Sequence, residues 1–252
     1  MKLRRRSRAN GSAGSRLPQS RGERQPPPSV LTTWLRQGLR SGMCPLCRVA
    51  HKADREYIWH FFDEGSDRGE TLDTVSRAYG FCAEHIEMLR RIEVDGMKST
   101  LSISILLSDV LAAIDTDLDR LNPTLEFQPA QCPACGNRDE RLQANAKYLL
   151  DELATTPARK ADYETSPGLC FDHFALVWDS AESLEDRQLI LDVQRACAHR
   201  LLGELREHVR KQEHRFSHEP KGAERDSWQR AIWLTAGWPP RAGSAAEPED
   251  TS

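Results

Sequence analysis

No stretch of the 252-residue sequence stays apolar for long. The best run, LSISILLSDVLAAI from Leu101 to Ile114, contains Asp109 and falls short of the ~18 residues that a membrane span needs. It reads as a buried helix instead. No apolar segment follows the arginines Arg4, Arg5 and Arg6, so neither a secretory nor a twin-arginine signal is expected. Alternation of apolar and polar residues is sustained nowhere, which argues against a sheet. Aromatic residues make up 7% of the chain and hydrophobic residues 38%, against 29% charged, so a core can form but the protein is not greasy. Cysteine is scarce too, with seven residues. These absences point to an all-α protein with no membrane partner. It is expected in the cytoplasm, where thiols stay reduced and clustered cysteines serve metal or redox chemistry rather than disulfides.

The net charge of −3 hides an asymmetry. Residues 1–29 carry eight basic residues and one acid, whereas the remainder carries 27 basic and 37 acidic residues. The first segment is rich in Arg, Ser, Gly and Pro and cannot bury enough surface to offset its ordering entropy. It reads as a disordered basic tail. Residues 241–252 read as a second disordered tail. Nucleic-acid attraction is open to residues 1–29 alone, because the body is acidic. A solvated extension is the simpler reading.

Six of the seven cysteines fall into one pattern used twice. CPLC (Cys44–Cys47) is followed, after 34 residues, by CAEH (Cys82–His85); CPAC (Cys132–Cys135) is followed at the same interval by CFDH (Cys170–His173). The second set repeats the first at an offset of 88 without a gap, together with Pro45/Pro133, Asp63/Asp151, Glu64/Glu152 and Gly80/Gly168. An internal duplication is the economical account. Helices are expected after each CPxC pair, over shorter pieces around 71–79 and 158–164 that Gly80 and Gly168 close, and from each CxxH onward. Two long helices then complete the halves. Ile103, Leu106, Leu107, Val110, Ile114, Leu118 and Leu121 form the apolar stripe of one, with Asp109, Asp115, Asp117 and Asp119 off it. In the other, Ser183 and Asp186 mark a capping start, and Ile190, Val193, Cys197, Leu201 and Leu205 form the stripe.

Three thiolates and one imidazole suit tetrahedral zinc. Pro45 and Pro133 can occupy a first helical position, leaving the sulfurs at a helix N-terminus. Cys82 with His85, and Cys170 with His173, would share one helix face. The expected sites are Cys44, Cys47, Cys82 and His85 for one zinc ion and Cys132, Cys135, Cys170 and His173 for a second. Each would clamp the helical hairpin of its own half. A thioredoxin-like dithiol lacks its βαβ surroundings, iron–sulfur ligands are usually more tightly crowded, and a catalytic zinc would keep a position open for water. Cys197, on an apolar stripe, reads as a buried inert thiol.

The segment from Arg206 to Pro239 gathers Arg206, His208, Lys211, His214 and Arg215, followed by Trp228, Trp233 and Trp238. It is either an anion- or partner-binding surface or a solvated helix end with a short helix docked by its tryptophans. The second is the simpler.

CPLC…YGFCAEHIEML, CPAC…PGLCFDHFALV and the closing HRFSHEP…DSWQRA resemble an uncharacterised bacterial domain family of unknown function, over roughly residues 30–240. The resemblance implies a bacterial, cytoplasmic protein with the closing segment as an integral part, and it implies no activity. The expected organisation is a tail (1–29), two zinc-clamped helical repeats (30–128 and 129–240, the second with a docking C-terminal helix, the two packed as one domain) and a tail (241–252). The expected function is a non-catalytic interaction or scaffold protein with two structural zinc ions and an unknown protein partner. A redox- or zinc-responsive regulator and a weak nucleic-acid binder are the alternatives.

Overall fold

The computed structural model describes residues 42–63, 68–120 and 130–237, together with Thr33, Leu35 and residues 37–39. The two tails, Leu121, Trp238 and Pro239 lie outside the described residues.

Two proline starts set the architecture. Pro45 opens α1 (Pro45–Asp63) and Pro133 opens α5 (Pro133–Thr155), each at the first helical position, where a missing N–H costs nothing. Shorter helices follow: α2 (Arg68–Arg77) and α3 (Ala83–Arg90) in the first half, α6 (Pro157–Thr165) and α7 (Phe171–Ser180) in the second. The long helices are α4 (Leu101–Arg120) and α8 (Leu184–Arg210), and α9 (Ser227–Ala236) closes the chain. Among the described residues there is no strand, and the fold is all-α.

The two halves use the same local devices 88 residues apart. Cys82 and Cys170 cap α3 and α7 with nearly the same backbone, φ −65° and ψ 167° against φ −67° and ψ 163°. Gly80 and Gly168 precede them at φ 98° and 82°, in the left-handed region that suits glycine. At Gly168 the space is closed as well. A Cβ there would stand 2.9 Å from Gln194 Oε1 and 3.1 Å from Cys197 Cβ. Gln194 is already engaged, accepting from the Tyr163 hydroxyl at 2.7 Å and the Leu169 N–H at 2.9 Å and donating to the Leu169 carbonyl at 2.8 Å. Arg200 donates to the carbonyls of Glu164 and Ser166 in the same loop. Gly168→Ala is therefore expected to cost about 1–3 kcal/mol in urea unfolding.

α1 and α5 lie antiparallel. The start of α1 (Leu46, Val49) packs with the later part of α5 (Leu149, Leu150, Leu153) in one core, and the end of α1 (Ile58, Phe61) packs with Ala134 at the start of α5 in another. The first core also takes Tyr163, Leu169, Val177, Ile190, Val193 and Cys197 from α6–α8, and the second takes Val75, Leu89, Leu106 and Val110 from α2–α4. Each core thus joins residues from both sides of position 128.

The apolar stripe of α8 is as expected: Ile190, Val193, Cys197 and Leu201 are buried, and the Ser183 hydroxyl accepts the Asp186 N–H at 3.0 Å. The stripe of α4 is narrower. Leu106 and Val110 are buried, but Leu107 and Leu118 are exposed, and Asp117 accepts the hydroxyl of Tyr79, in the turn after α2, at 2.7 Å. A buried acid caps α4 from outside. Glu93, in the π-helical turn Arg91–Gly96 after α3, accepts the N–H groups of Ser102 at 2.6 Å and Ile103 at 2.8 Å.

Candidate metal centres

All eight expected ligands come together in fours, but not in the expected fours. One cluster is Cys44, Cys47, Cys170 and His173; the other is Cys82, His85, Cys132 and Cys135. Each CPxC pair meets the CxxH of the other half, so pairing within a half is corrected. The reason is geometric. α1 carries the chain about 28 Å away from Cys47, and α2 brings it only about 15 Å back. An extended return would be needed, yet Tyr79 and Gly80 turn instead, at φ 53° and 98°. In the second half α5 runs about 34 Å and α6 returns about 14 Å. Antiparallel packing of α1 against α5 sets the CPxC of one half beside the other half's outgoing helix well beyond its start, where the shorter second helix leaves that half's CxxH; His85 meets Asp54 midway along α1.

The donor atoms of each cluster lie within 4.8 Å of one another. In the α1–α7 cluster, Cys47 Sγ is 3.7 Å from Cys170 Sγ, and His173 Nδ1 is 3.5, 3.4 and 3.1 Å from the sulfurs of Cys44, Cys47 and Cys170. In the α3–α5 cluster, Cys82 Sγ is 3.7 Å from Cys135 Sγ, and His85 Nδ1 is 3.1, 3.6 and 3.5 Å from the sulfurs of Cys82, Cys132 and Cys135. Zinc arms of about 2.3 Å to sulfur and 2.0–2.1 Å to nitrogen span a tetrahedron with edges of about 3.8 Å (S–S) and 3.5 Å (S–N). The Cys47–Cys170 and Cys82–Cys135 separations of 3.7 Å and the S–N separations of 3.4–3.6 Å match those edges, while the Cys–His pairs within each CxxH are closer, at 3.1 Å. Each also lies between two helix N-termini, whose partial positive charge favours an anionic thiolate set.

As bare thiols the donors conflict. Burial, reinforced by Cys170 and Cys47, pushes the Cys44 thiol well above its ordinary range. Burial and the neighbouring Cys132 push Cys135 up to about 12, while Cys132 itself, against its burial, is drawn down to about 6 by His85 and by the N–H groups of Cys82 and Cys135. A divalent cation satisfies all four donors at once.

The surroundings of the clusters differ. At the α3–α5 cluster, His85 Nε2 and Asp54 Oδ1, both sealed from solvent and without another hydrogen-bonding partner, face each other across 2.9 Å. Arg138 reaches Asp54 Oδ2 at 3.3 Å and donates to Cys135 Sγ at 3.7 Å. A carboxylate behind the ring fixes its orientation, leaving Nδ1 for a metal. Sequence reasoning missed Asp54 and Arg138. The signal was present: Asp54 is an acid on the Cys47–Ala50–Ile58 side of α1, and Arg138 follows Cys135 at the i+3 spacing by which His85 follows Cys82. Asp54→Asn is expected to weaken metal at this cluster about 10- to 100-fold in a chelator competition, with the other cluster unchanged.

Cys197 is buried, donates to the Tyr163 carbonyl at 3.3 Å, and is pushed by burial up to about 11, as suits an inert thiol. The basic residues near the end of α8 face the chain's own acids. Lys211 binds Glu224 at 2.8 Å and the Pro220 carbonyl at 2.7 Å, and with the Gly222 N–H it holds the Glu224 carboxyl at about 2. Arg215 pairs with Glu213 at 2.8 Å and lies over the Phe216 ring. His208 accepts from Gln212, at 3.1 Å, while Arg206 and His214 are exposed. α9 packs on α8 with Trp233 partly buried, while Trp228 is exposed.

Among the described residues no helix is long and apolar enough to cross a membrane. No curated protein and no solved structure matches the chain. A family model matches residues 113–242, which include Cys132, Cys135, Cys170 and His173 but neither Cys44 and Cys47 nor Cys82 and His85. The matched segment therefore holds half of each cluster and completes neither. That match covers more than half the sequence, and the chain belongs to this family of unknown function, DUF6062.

Proposed function

We propose that each cluster binds one zinc ion, two per chain, and that the protein is a zinc-stapled helical scaffold that binds a protein partner. The observation that carries this reading is the closed donor set. Four protein donors gathered within 4.8 Å of one another leave no position for water or substrate on a tetrahedral ion, which disfavours catalysis at the metal. The 88-residue correspondence supports an origin by duplication, with the two halves exchanging their CxxH segments. The thiolate-rich sites suit a reducing, cytoplasmic setting.

α4 supplies the surface. Leu101, Ile105, Leu107, Leu111 and Leu118 are exposed on this one helix, Leu101 and Leu111 by more than 60%. Apolar side chains concentrated in this way mark interaction sites. A photoreactive amino acid placed at Leu111 is expected to capture a protein in cells of the source organism, and one placed at the exposed Thr155 is not. Equal capture at both positions, or none, would overturn the assignment of α4. Metal analysis of the purified chain is expected to find close to two zinc ions, and a helical metal-free chain would overturn the staple.

A further inference from the structure

The two clusters share their ligands but not their surroundings, and the difference assigns them different chemistry. Around the α1–α7 cluster, Cys44, Cys47 and Cys170 are each no more than 4% exposed. Gly237, just past α9, turns over it so closely that a Cβ would lie 3.7 Å from Cys47 Sγ and 3.8 Å from Cys170 Sγ. At the α3–α5 cluster Cys82, Cys132 and Cys135 are all partly exposed, although its His85 is buried and His173 of the other cluster is partly exposed. The 88-residue correspondence repeats the contrast: Leu142 is the counterpart of Asp54, and Ala50 of Arg138. One cluster has an apolar wall where the other has an ion pair.

Resting on zinc at both clusters, we propose that the α3–α5 cluster is a peroxide-reactive zinc–thiolate centre, and that the α1–α7 cluster is a permanent staple. Exposure admits the oxidant, and thiolate character supplies the nucleophile. Cys82 is the attacking sulfur. Cys135 accepts a hydrogen bond from Arg138, which withdraws electron density, whereas the neighbours of Cys82 Sγ are its fellow donors His85 and Cys135. The Cys82 thiolate attacks one peroxide oxygen, the O–O bond breaks, and a sulfenic acid and hydroxide form. The Cys135 thiolate, 3.7 Å away, attacks the sulfenic sulfur, forming the S–S bond and expelling a second hydroxide. Two thiolates lose two electrons, peroxide gains them, two protons complete two waters, and zinc leaves with half its ligands gone. The metal tie between the starts of α3 and α5 is then replaced by the Cys82–Cys135 disulfide, which frees His85 and Cys132, while the metal tie between α1 and α7 holds.

The test uses the full chain with its metal content measured first. Hydrogen peroxide is added in the presence of a chromogenic zinc chelator, and the cysteines are mapped by alkylation and mass spectrometry. One zinc equivalent is expected to leave at least about tenfold faster than the other, with a Cys82–Cys135 disulfide and with Cys44, Cys47, Cys170 and Cys197 still reduced. Release of both ions at one rate, or oxidation of Cys44, Cys47 or Cys170 first, would overturn the proposal while leaving the zinc reading intact. A chain purified without zinc would overturn both.

Discussion

Replacing Cys170 by serine is expected to remove one zinc ion and expose Cys44 and Cys47, which lie more than 120 residues earlier, while Cys132 and Cys135 stay protected. The effect crosses the chain because Cys170 Sγ stands 3.7 Å from Cys47 Sγ in the same donor set. The buried sulfurs of Cys44 and Cys47 lose the metal they hold and the neighbouring Cys170 sulfur. Their alkylation by N-ethylmaleimide should rise about tenfold or more. The retained second zinc ion shows that the rest of the chain is still assembled. Pairing within each half predicts the reverse, with Cys132 and Cys135 becoming reactive and Cys44 and Cys47 unchanged. That outcome would rule out the crossed arrangement.

Stripping both ions with a strong chelator is expected to abolish the fold. Apparent zinc binding energies of about 10–16 kcal/mol per structural site match or exceed the 5–15 kcal/mol that stabilises an ordinary domain. The clusters lie inside the apolar packing: Cys44, Cys47 and Cys170 belong to one core and Cys132 lies against the other. Without a cation, the first core would contain three crowded thiols beside an imidazole, and at the edge of the second Cys82, Cys132 and Cys135 would crowd the buried His85. Helical circular dichroism should collapse on chelation and return when zinc is restored. A spectrum unchanged after complete metal removal would show that the helices need no staple.

Much of the site can be read from the sequence, because ligand chemistry is local. CPxC and CxxH name their donors, Pro45 and Pro133 mark where helices begin, and Gly80 and Gly168 mark the turns ahead of Cys82 and Cys170. The stripe of α8 is legible for the same reason, since 3.6-residue periodicity is a property of neighbours in the chain. The stripe of α4 is only partly legible. Periodicity shows that Leu107 and Leu118 lie near the buried face, but not how wide a face α2 and α3 cover.

By itself, then, the sequence determined a helical chain and eight candidate metal ligands in two CPxC and two CxxH pairs. Only the tertiary structure decided which ligand meets which, through antiparallel packing of α1 on α5 and return helices about half as long as the outgoing ones. It also decided that the cysteines of one set are buried and those of the other partly exposed. That difference depends on Asp54, Arg138 and Gly237, two of them brought to their clusters from distant parts of the chain and none of them in a ligand motif. Spacing along a chain fixes which donors a short motif can offer, whereas the meeting of two motifs depends on how whole helices bury their apolar faces.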